Sequence, residues 1–305
     1  SPQSIIRSQA NEMDFSIQMT RDRAPAAAHD PVQAENKIEF TDRVTQFRGP
    51  NDKTRIEVTL LAPFKKNVAK NFKKSSKDTL DIEYSGMLRN GNFNPIIRDR
   101  SVASFEVKQA AKEKLPNAVG RVMLLAPVQQ AELTLQVSTH VKAFDEKKSK
   151  EKTGFFRQPL AIRDFSGEQL MLSEVNLLYH VKKDLQRKML PTLAIESLPT
   201  SPYPYKKIRK KEPPLFYFEI YNLHTAGIED VIEVSYTISR LKEDKKDRAS
   251  VSASYTRPVT GDDMQELIEI NLKNVKKGKH LLEVTVRGKS RPEVEAKQAS
   301  VIVVE

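Results

Sequence analysis

Leu215-Phe216-Tyr217-Phe218-Glu219-Ile220-Tyr221-Asn222-Leu223 is the most aromatic and most β-prone stretch of this chain. Side chains of a strand alternate between faces, so Phe216, Phe218 and Ile220 share one side while Leu215, Tyr217, Glu219 and Tyr221 share the other. Both sides are sticky. A strand apolar on one face and aromatic, with a single carboxylate, on the other is expected near the middle of a sheet, packed on a core and largely covered. Pro213 and Pro214 stop any helix just before it, and Asn222 is placed to start a turn after it.

Moving outward from this strand, the same alternation recurs. Downstream, Ile232, Val234, Tyr236 and Ile238 lie on one face, Lys242 to Arg248 forms a charged tip, and Val251, Ala253 and Tyr255 return as the second arm of a hairpin. Ile268, Ile270 and Leu272 follow, then Lys276-Lys277-Gly278 turns into Leu282, Val284 and Val286, and Val301 to Val304 closes the chain. Upstream, Leu198 to Tyr205 carries three prolines and reads as a stiff extended approach to a basic run, Lys206 to Lys211. Leu170 to Leu190 fits two periods. Leu172, Val175, Leu178, Leu185 and Met189 make a helical stripe, while Leu170, Leu172, Val175 and Leu177 also suit a short strand.

The first half repeats the pattern in kind. Ile56, Val58 and Leu60 alternate until Ala62-Pro63 stops them, and Leu80, Ile82 and Tyr84 alternate up to a turn at Arg89-Asn90-Gly91-Asn92. Further strands are expected around Ala103, Phe105 and Val107, around Val122 and Leu124, and around Leu133, Leu135 and Val137. Phe64 to Lys77 and Asp145 to Lys152 are too charged for a core and read as loops or hairpin tips. Residues 1 to 36 hold only Phe15, Ile17 and Met19 in alternation before an Ala/Pro-rich linker, and are expected to form an extended arm. Short strands separated by turns, with no helix recurring between them, point to sandwiches rather than βαβ units.

Composition bounds the function classes. The 305 residues are 38% hydrophobic and 30% charged, with 51 basic and 40 acidic residues and a formal net charge of +11. That excess invites an anionic partner, but the two signs are interleaved and solubility explains it as well. With no cysteine there are no disulfides, thiolate nucleophiles or cysteine-bound metals. The longest apolar run, Val122 to Val128, contains Pro127 and is too short to span a bilayer. The sequence begins at Ser1, which leads us to expect a processed or trimmed product.

Some of these segments are familiar. Gln46-Phe47-Arg48-Gly49-Pro50-Asn51-Asp52-Lys53-Thr54-Arg55-Ile56-Glu57-Val58 resembles the opening of the β region of bacterial GWxTD-domain proteins. Leu172-Ser173-Glu174-Val175 is similar to the short motif that begins that family's last β domain, and the likeness continues at Pro214 to Leu223. Ile270-Asn271-Leu272 with Gly278 to Val286 is similar to its closing strand, glycine turn and strand. Together they cover about 46 to 305. The chain has no tryptophan, so the motif that names the family is not in it. The resemblance implies tandem β-sandwiches in a bacterial envelope or secreted protein, a strand rather than a helix beginning at Leu170, and no catalytic residues to carry over.

Candidate sites are few. His29, His140, His180, His224 and His280 stand singly, with no metal-ligand spacing. No Gly-x-Ser-x-Gly elbow marks a nucleophile, and Asp262-Asp263 after Gly261 reads as a turn rather than a calcium loop. Basic runs remain: Lys65, Lys66, Lys70, Lys73 and Lys74 in one loop, and Lys206, Lys207, Arg209, Lys210 and Lys211 in another. Clustered lysines bind anionic polymers by releasing counterions, but lysine at loop tips also keeps β proteins soluble and unpaired. Tyr203 and Tyr205 beside the second run would either stack on bases or sugars or pack near the central strand.

The expectation is an all-β chain of two tandem immunoglobulin-like sandwiches, 37–166 and 167–305, behind an extended arm, 1–36. Its expected role is a non-catalytic structural or protein-interaction module of a bacterial cell-envelope or extracellular assembly, with no cofactor, metal or membrane span. Its partners would be other proteins of that assembly or itself, with nucleic acid disfavoured. The alternative is a carbohydrate or anionic-polymer binder acting through the lysine-rich loops.

Overall fold

A computed structural model describes residues 38–63, 79–106, 117–142, 151–180, 193–195, 198–242 and 245–305. The expected arm with Phe15, Ile17 and Met19, the lysine loop 65–77 and the upper part of the 170–190 stripe, from 181 on, lie outside them.

The architecture is all-β, with no helix among the described residues. The first seven strands are β1 (Thr41–Arg48), β2 (Thr54–Pro63), β3 (Thr79–Arg89), β4 (Pro95–Glu106), β5 (Asn117–Ala126), β6 (Gln130–Lys142) and β7 (Glu151–Ala161). They form two antiparallel sheets, in the orders β1-β2-β5 and β4-β3-β6-β7. The next ten are β8 (Met171–Leu172), β9 (Asn176–His180), β10 (Leu193–Ile195), β11 (Leu198–Pro202), β12 (Leu215–Tyr221), β13 (Val231–Lys242), β14 (Lys245–Pro258), β15 (Met264–Glu269), β16 (Gly278–Gly288) and β17 (Glu295–Val304). Here the orders are β10-β11-β9-β12-β15, with β8 also on β12, and β14-β13-β16-β17.

Alternation explains how the sheets pair off. Ile56, Val58 and Leu60 of β2 and Val122 and Leu124 of β5 meet Leu80, Ile82, Tyr84, Leu133 and Leu135 from the facing sheet in one apolar core. Phe216, Phe218 and Ile220 meet Ile232, Val234, Leu282, Val284 and Val286 in a second. Ile162 belongs to the first core and Leu170 to the second. Two stacked sheets sharing one interior are the β-sandwich arrangement. No described helix is long and apolar enough to cross a membrane.

The central strand lies as its pattern requires. β12 is bordered by β9 and β8 on one side and β15 on the other, and all seven residues are buried. Asn222 follows at φ 65° and opens the turn that Ala226 N closes onto its carbonyl at 2.8 Å. Within 170–180, Met171–Leu172 and Asn176–His180 are strands and no helix forms. The approach at 198–205 is extended over Leu198–Pro202 and is paired there as a strand between β9 and β10. Three strands, β1, β7 and β10, had no forecast. In β1, Val44 and Phe47 point to opposite faces, so no alternation shows, and β7 carries Pro159, tolerated because β7 is an edge.

Candidate functional site

The three segments 46–58, 172–175 and 214–223, far apart in sequence, meet along one seam between the two cores. Because Ile56 and Val58 face the first core, Arg55 and Glu57 face outward from β2; because Phe216, Phe218 and Ile220 face the second, Tyr217, Glu219 and Tyr221 face outward from β12. The two outward faces are packed together. Phe47, Leu178, Leu215 and Tyr217 form a small apolar cluster there, with the Phe47 and Tyr217 rings 5.7 Å apart.

Around that cluster the contacts are ionic. Glu219, 7% exposed, accepts from Arg55 Nη2 at 2.5 Å, from the Tyr217 hydroxyl at 2.6 Å and from the Tyr221 hydroxyl at 2.8 Å. Glu57 pairs with Arg55 Nε at 3.2 Å and Arg121 Nη2 at 2.6 Å, and Asn176 Nδ2 reaches its other oxygen at 3.4 Å. Burial, then the neighbouring Glu219 carboxylate, pushes the Tyr217 and Tyr221 phenols far above their ordinary range. The Arg55 guanidinium is raised despite burial, because Glu219 and Glu57 both hold its charge. Arg55 also lies over the Phe47 ring at 4.7 Å.

Backbone groups complete the join. Gln46 N donates to Glu174 Oε2 at 2.9 Å, Glu174 N returns to the Gln46 carbonyl at 3.2 Å, and Ser173 Oγ accepts from Glu219 N at 2.8 Å. Arg43 Nη2 donates to the carbonyls of Tyr203 and Tyr205, both at 2.5 Å, and burial lowers its pKa to about 10.

At one end of the seam, Arg48 stacks over Tyr221 at 4.5 Å and donates to Asn222 Oδ1 at 2.6 Å and to Asp263 at 3.1 Å. Asp262 accepts from Thr225 N, so the Asp262-Asp263 pair is a turn tying neighbouring elements together, as expected. A polar cleft of about 410 Å³ opens here between the β1–β2 turn, residues 165–168 and Asn222. Asn51 and Asp52 take φ values of 55° in that turn, which Lys53 N closes onto the Pro50 carbonyl.

The described basic candidates, Lys206 to Lys211, make no ion pair with the seam carboxylates. Lys65, Lys66, Lys70, Lys73 and Lys74 lie outside the described residues. Lys206, Lys207, Arg209 and Lys211 are exposed and Lys210 is half-buried. Arg209 is occupied, pairing with Glu305 at 3.2 Å and lying over Tyr205 at 4.1 Å. Tyr203 and Tyr205 are buried in the second core, so of their two expected roles they take packing. Among the described residues no three histidine or carboxylate side chains gather as metal ligands, and buried His280 bonds through Nδ1 to the Gly278 carbonyl.

The seam residues themselves escaped the list of candidate sites. Their one signal in the sequence was Glu219, a lone carboxylate inside an aromatic strand, whose charged partner Arg55 lies 164 positions away.

No family model matches the chain, and no curated protein does. Among solved structures, a transglutaminase from red sea bream aligns at 9% identity and TM-score 0.22 over 88% of this chain, which spans only 31% of the transglutaminase. A structure of the receptor tyrosine kinase Torso aligns at 9% identity and TM-score 0.19, covering 99% of this chain and 90% of its own.

Proposed function

We propose that the chain is a non-catalytic structural or protein-interaction module of a bacterial cell-envelope or extracellular assembly, built as two tandem immunoglobulin-like sandwiches. The seam is the observation that carries this reading. Glu219, Glu57, Tyr217 and Tyr221 are the groups a catalyst would use as acid, base or nucleophile, and each is held by partners across or within the seam. Glu219 is engaged by three donors within 2.8 Å, two on Oε1 and one on Oε2. The chemistry of the cluster is to fix one half against the other, which suits a rigid spacer or docking unit. The envelope assignment rests on the resemblance of 46–58, 172–175 and 214–223 to a bacterial family.

Light scattering on the full chain and on residues 37–305, at low and high salt, tests the reading together with a screen of generic ester and peptide substrates. Salt-tolerant association with no turnover is the expected result. A chain that stays monomeric and hydrolyses a substrate overturns it, and recovery from the cytosolic fraction of the source cells overturns the compartment.

A further inference from the structure

Of the ten glycines in the chain only Gly91 follows an asparagine, and it does so in the turn between β3 and β4. An asparagine side chain is an amide with a main-chain N–H close behind it. If that N attacks the side-chain carbonyl carbon, a five-membered ring closes and ammonia leaves. The step needs an attacking N–H that is not tied up, a carbonyl oxygen stabilised as it gains charge, and an amide free to depart.

The turn supplies all three. Gly91 is exposed, and among the described residues neither its N–H nor the Asn90 Nδ2 makes a hydrogen bond. Asn90 Oδ1 accepts from Asn92 N and from Asn94 N, both at 3.0 Å. Two backbone donors at that distance are the arrangement that stabilises an oxygen gaining negative charge during addition to a carbonyl. The bond from Asn92 N also folds the side chain back over the Gly91 peptide, the side on which the ring closes. Asn90 N to the Asn94 carbonyl and Phe93 N to the Asn90 carbonyl, both at 2.9 Å, hold the turn in this form.

Other asparagines with comparable bonds lack part of this set. Asn271 Oδ1 accepts from Lys273 N at 3.1 Å, but the attacking atom would belong to Leu272, anchored in the second core. Asn222 is followed by buried Leu223, whose N donates to the Asp262 carbonyl, and its own Nδ2 is held by the carbonyls of Gly167 and Gln169.

We propose that Asn90-Gly91 is a site of covalent self-modification in the folded protein, converting Asn90 through a cyclic imide to aspartate and isoaspartate with water as the co-reactant. Gly91 N bonds to Asn90 Cγ and gives its proton to solvent, while Oδ1 carries the charge against the N–H groups of Asn92 and Asn94. Collapse breaks the Cγ–Nδ2 bond and releases ammonia. Water then opens the imide, at Cγ to give aspartate or at the main-chain carbonyl to give isoaspartate. The products differ in effect. In the aspartate form both N–H groups meet a carboxylate and their bonds strengthen. In the isoaspartate form the main chain runs through Cβ and Cγ, one atom longer, and the carbonyl that Phe93 N binds leaves the main chain, so the turn loosens. None of this depends on the interaction-module reading.

The test is to incubate the full chain at neutral and mildly alkaline pH, map the conversion by peptide mass spectrometry, and label isoaspartate with an isoaspartyl methyltransferase. Asn90 is expected to convert first, at least about tenfold faster than Asn222 or Asn271, and faster at the higher pH because the attacking N–H must lose its proton. Gly91→Ala fits, since a methyl group there meets nothing within 4 Å, and is expected to slow the conversion at least about tenfold with the melting temperature unchanged. Conversion of Asn90 only after unfolding in urea overturns the proposal, because the turn would then shield the step. So does a rate untouched by Gly91→Ala, or a chain in which Asn222 or Asn271 converts first.

Discussion

The first core and the seam are built by opposite rules. The core is aliphatic side chains from two facing sheets, with Tyr84 its one aromatic among the fully buried residues, while the seam surrounds four apolar residues with two buried carboxylates and the guanidiniums of Arg55 and Arg121. An apolar interior asks for volume and tolerates swaps that conserve it. A seam of charges asks for partners at one separation and in one orientation. The core therefore makes each half stable, and the seam decides how the halves stand to each other.

The sharpest way to break that distinction is Glu219→Leu. It removes the acceptor of Arg55, Tyr217 and Tyr221 at once and leaves a guanidinium and two phenols without it; removing one partner of a buried pair costs about 3–5 kcal/mol. Calorimetry is expected to show one transition in the wild type and two in the variant, as each half melts on its own core. A variant that still unfolds in a single step would mean the seam does not couple the halves.

The matching lesion in the core is Gly120→Ala. A methyl group there would lie 2.1 Å from the Tyr84 ring, which is enclosed on every side, so strand β5 must shift or the ring must leave its rotamer. Overpacking of this kind costs about 1–3 kcal/mol. The expected signature differs from that of the seam variant: the melting temperature of the first half falls and the second half keeps its own. Equal loss in both halves would place the coupling inside the cores.

Alkaline pH probes the seam by a gentler route. Burial pushes the phenols of Tyr217 and Tyr221 far above 10, and that of Tyr203 to about 12. Their folded values exceed the unfolded value of about 10, so this stabilisation is complete below pH 10 and is lost as pH rises beyond it. Tyrosinate absorbance is expected to appear together with unfolding, and the loss of stability per pH unit above 10 is expected to be shallower in the Tyr217→Phe, Tyr221→Phe double variant. Ionisation that precedes any change in circular dichroism would show the seam to be open to solvent.

How much of this was written in the sequence follows from the range of each interaction. Leu215 to Tyr221 announced a buried central strand because both its faces are apolar or aromatic within seven residues, and the hairpin of Ile232–Ile238 with Val251–Tyr255 announced itself by strict alternation. β1 did not, since its two apolar residues serve different cores, and the strand over Leu198–Pro202 was hidden behind prolines suited to an extended linker. The seam was legible only as an oddity at Glu219. Its meaning depends on Arg55 and Glu57, which on their own look like the polar face of a half-exposed strand. The charge runs, by contrast, stay at the surface where they are described: Lys206 and Lys207 are exposed, and Arg209 is held by Glu305.

The smallest expected effect sharpens the comparison most finely. Tyr84 sits in the first core with its hydroxyl buried and without a partner, and desolvation alone drives its pKa far above the ordinary range. Tyr217 and Tyr221 have the same hydroxyl on buried side chains, donating to Glu219. Removing a buried, unsatisfied hydroxyl removes a desolvation cost and no hydrogen bond, so Tyr84→Phe is expected to be neutral or to stabilise by up to about 1 kcal/mol. Tyr221→Phe loses a bond to a charged acceptor and is expected to destabilise by about 1.5–3 kcal/mol. Urea unfolding of both variants at neutral pH measures the difference directly. If the two substitutions cost the same, the seam hydroxyls act as filler, and the orientation of the halves is set by the apolar cluster of Phe47, Leu178, Leu215 and Tyr217 instead.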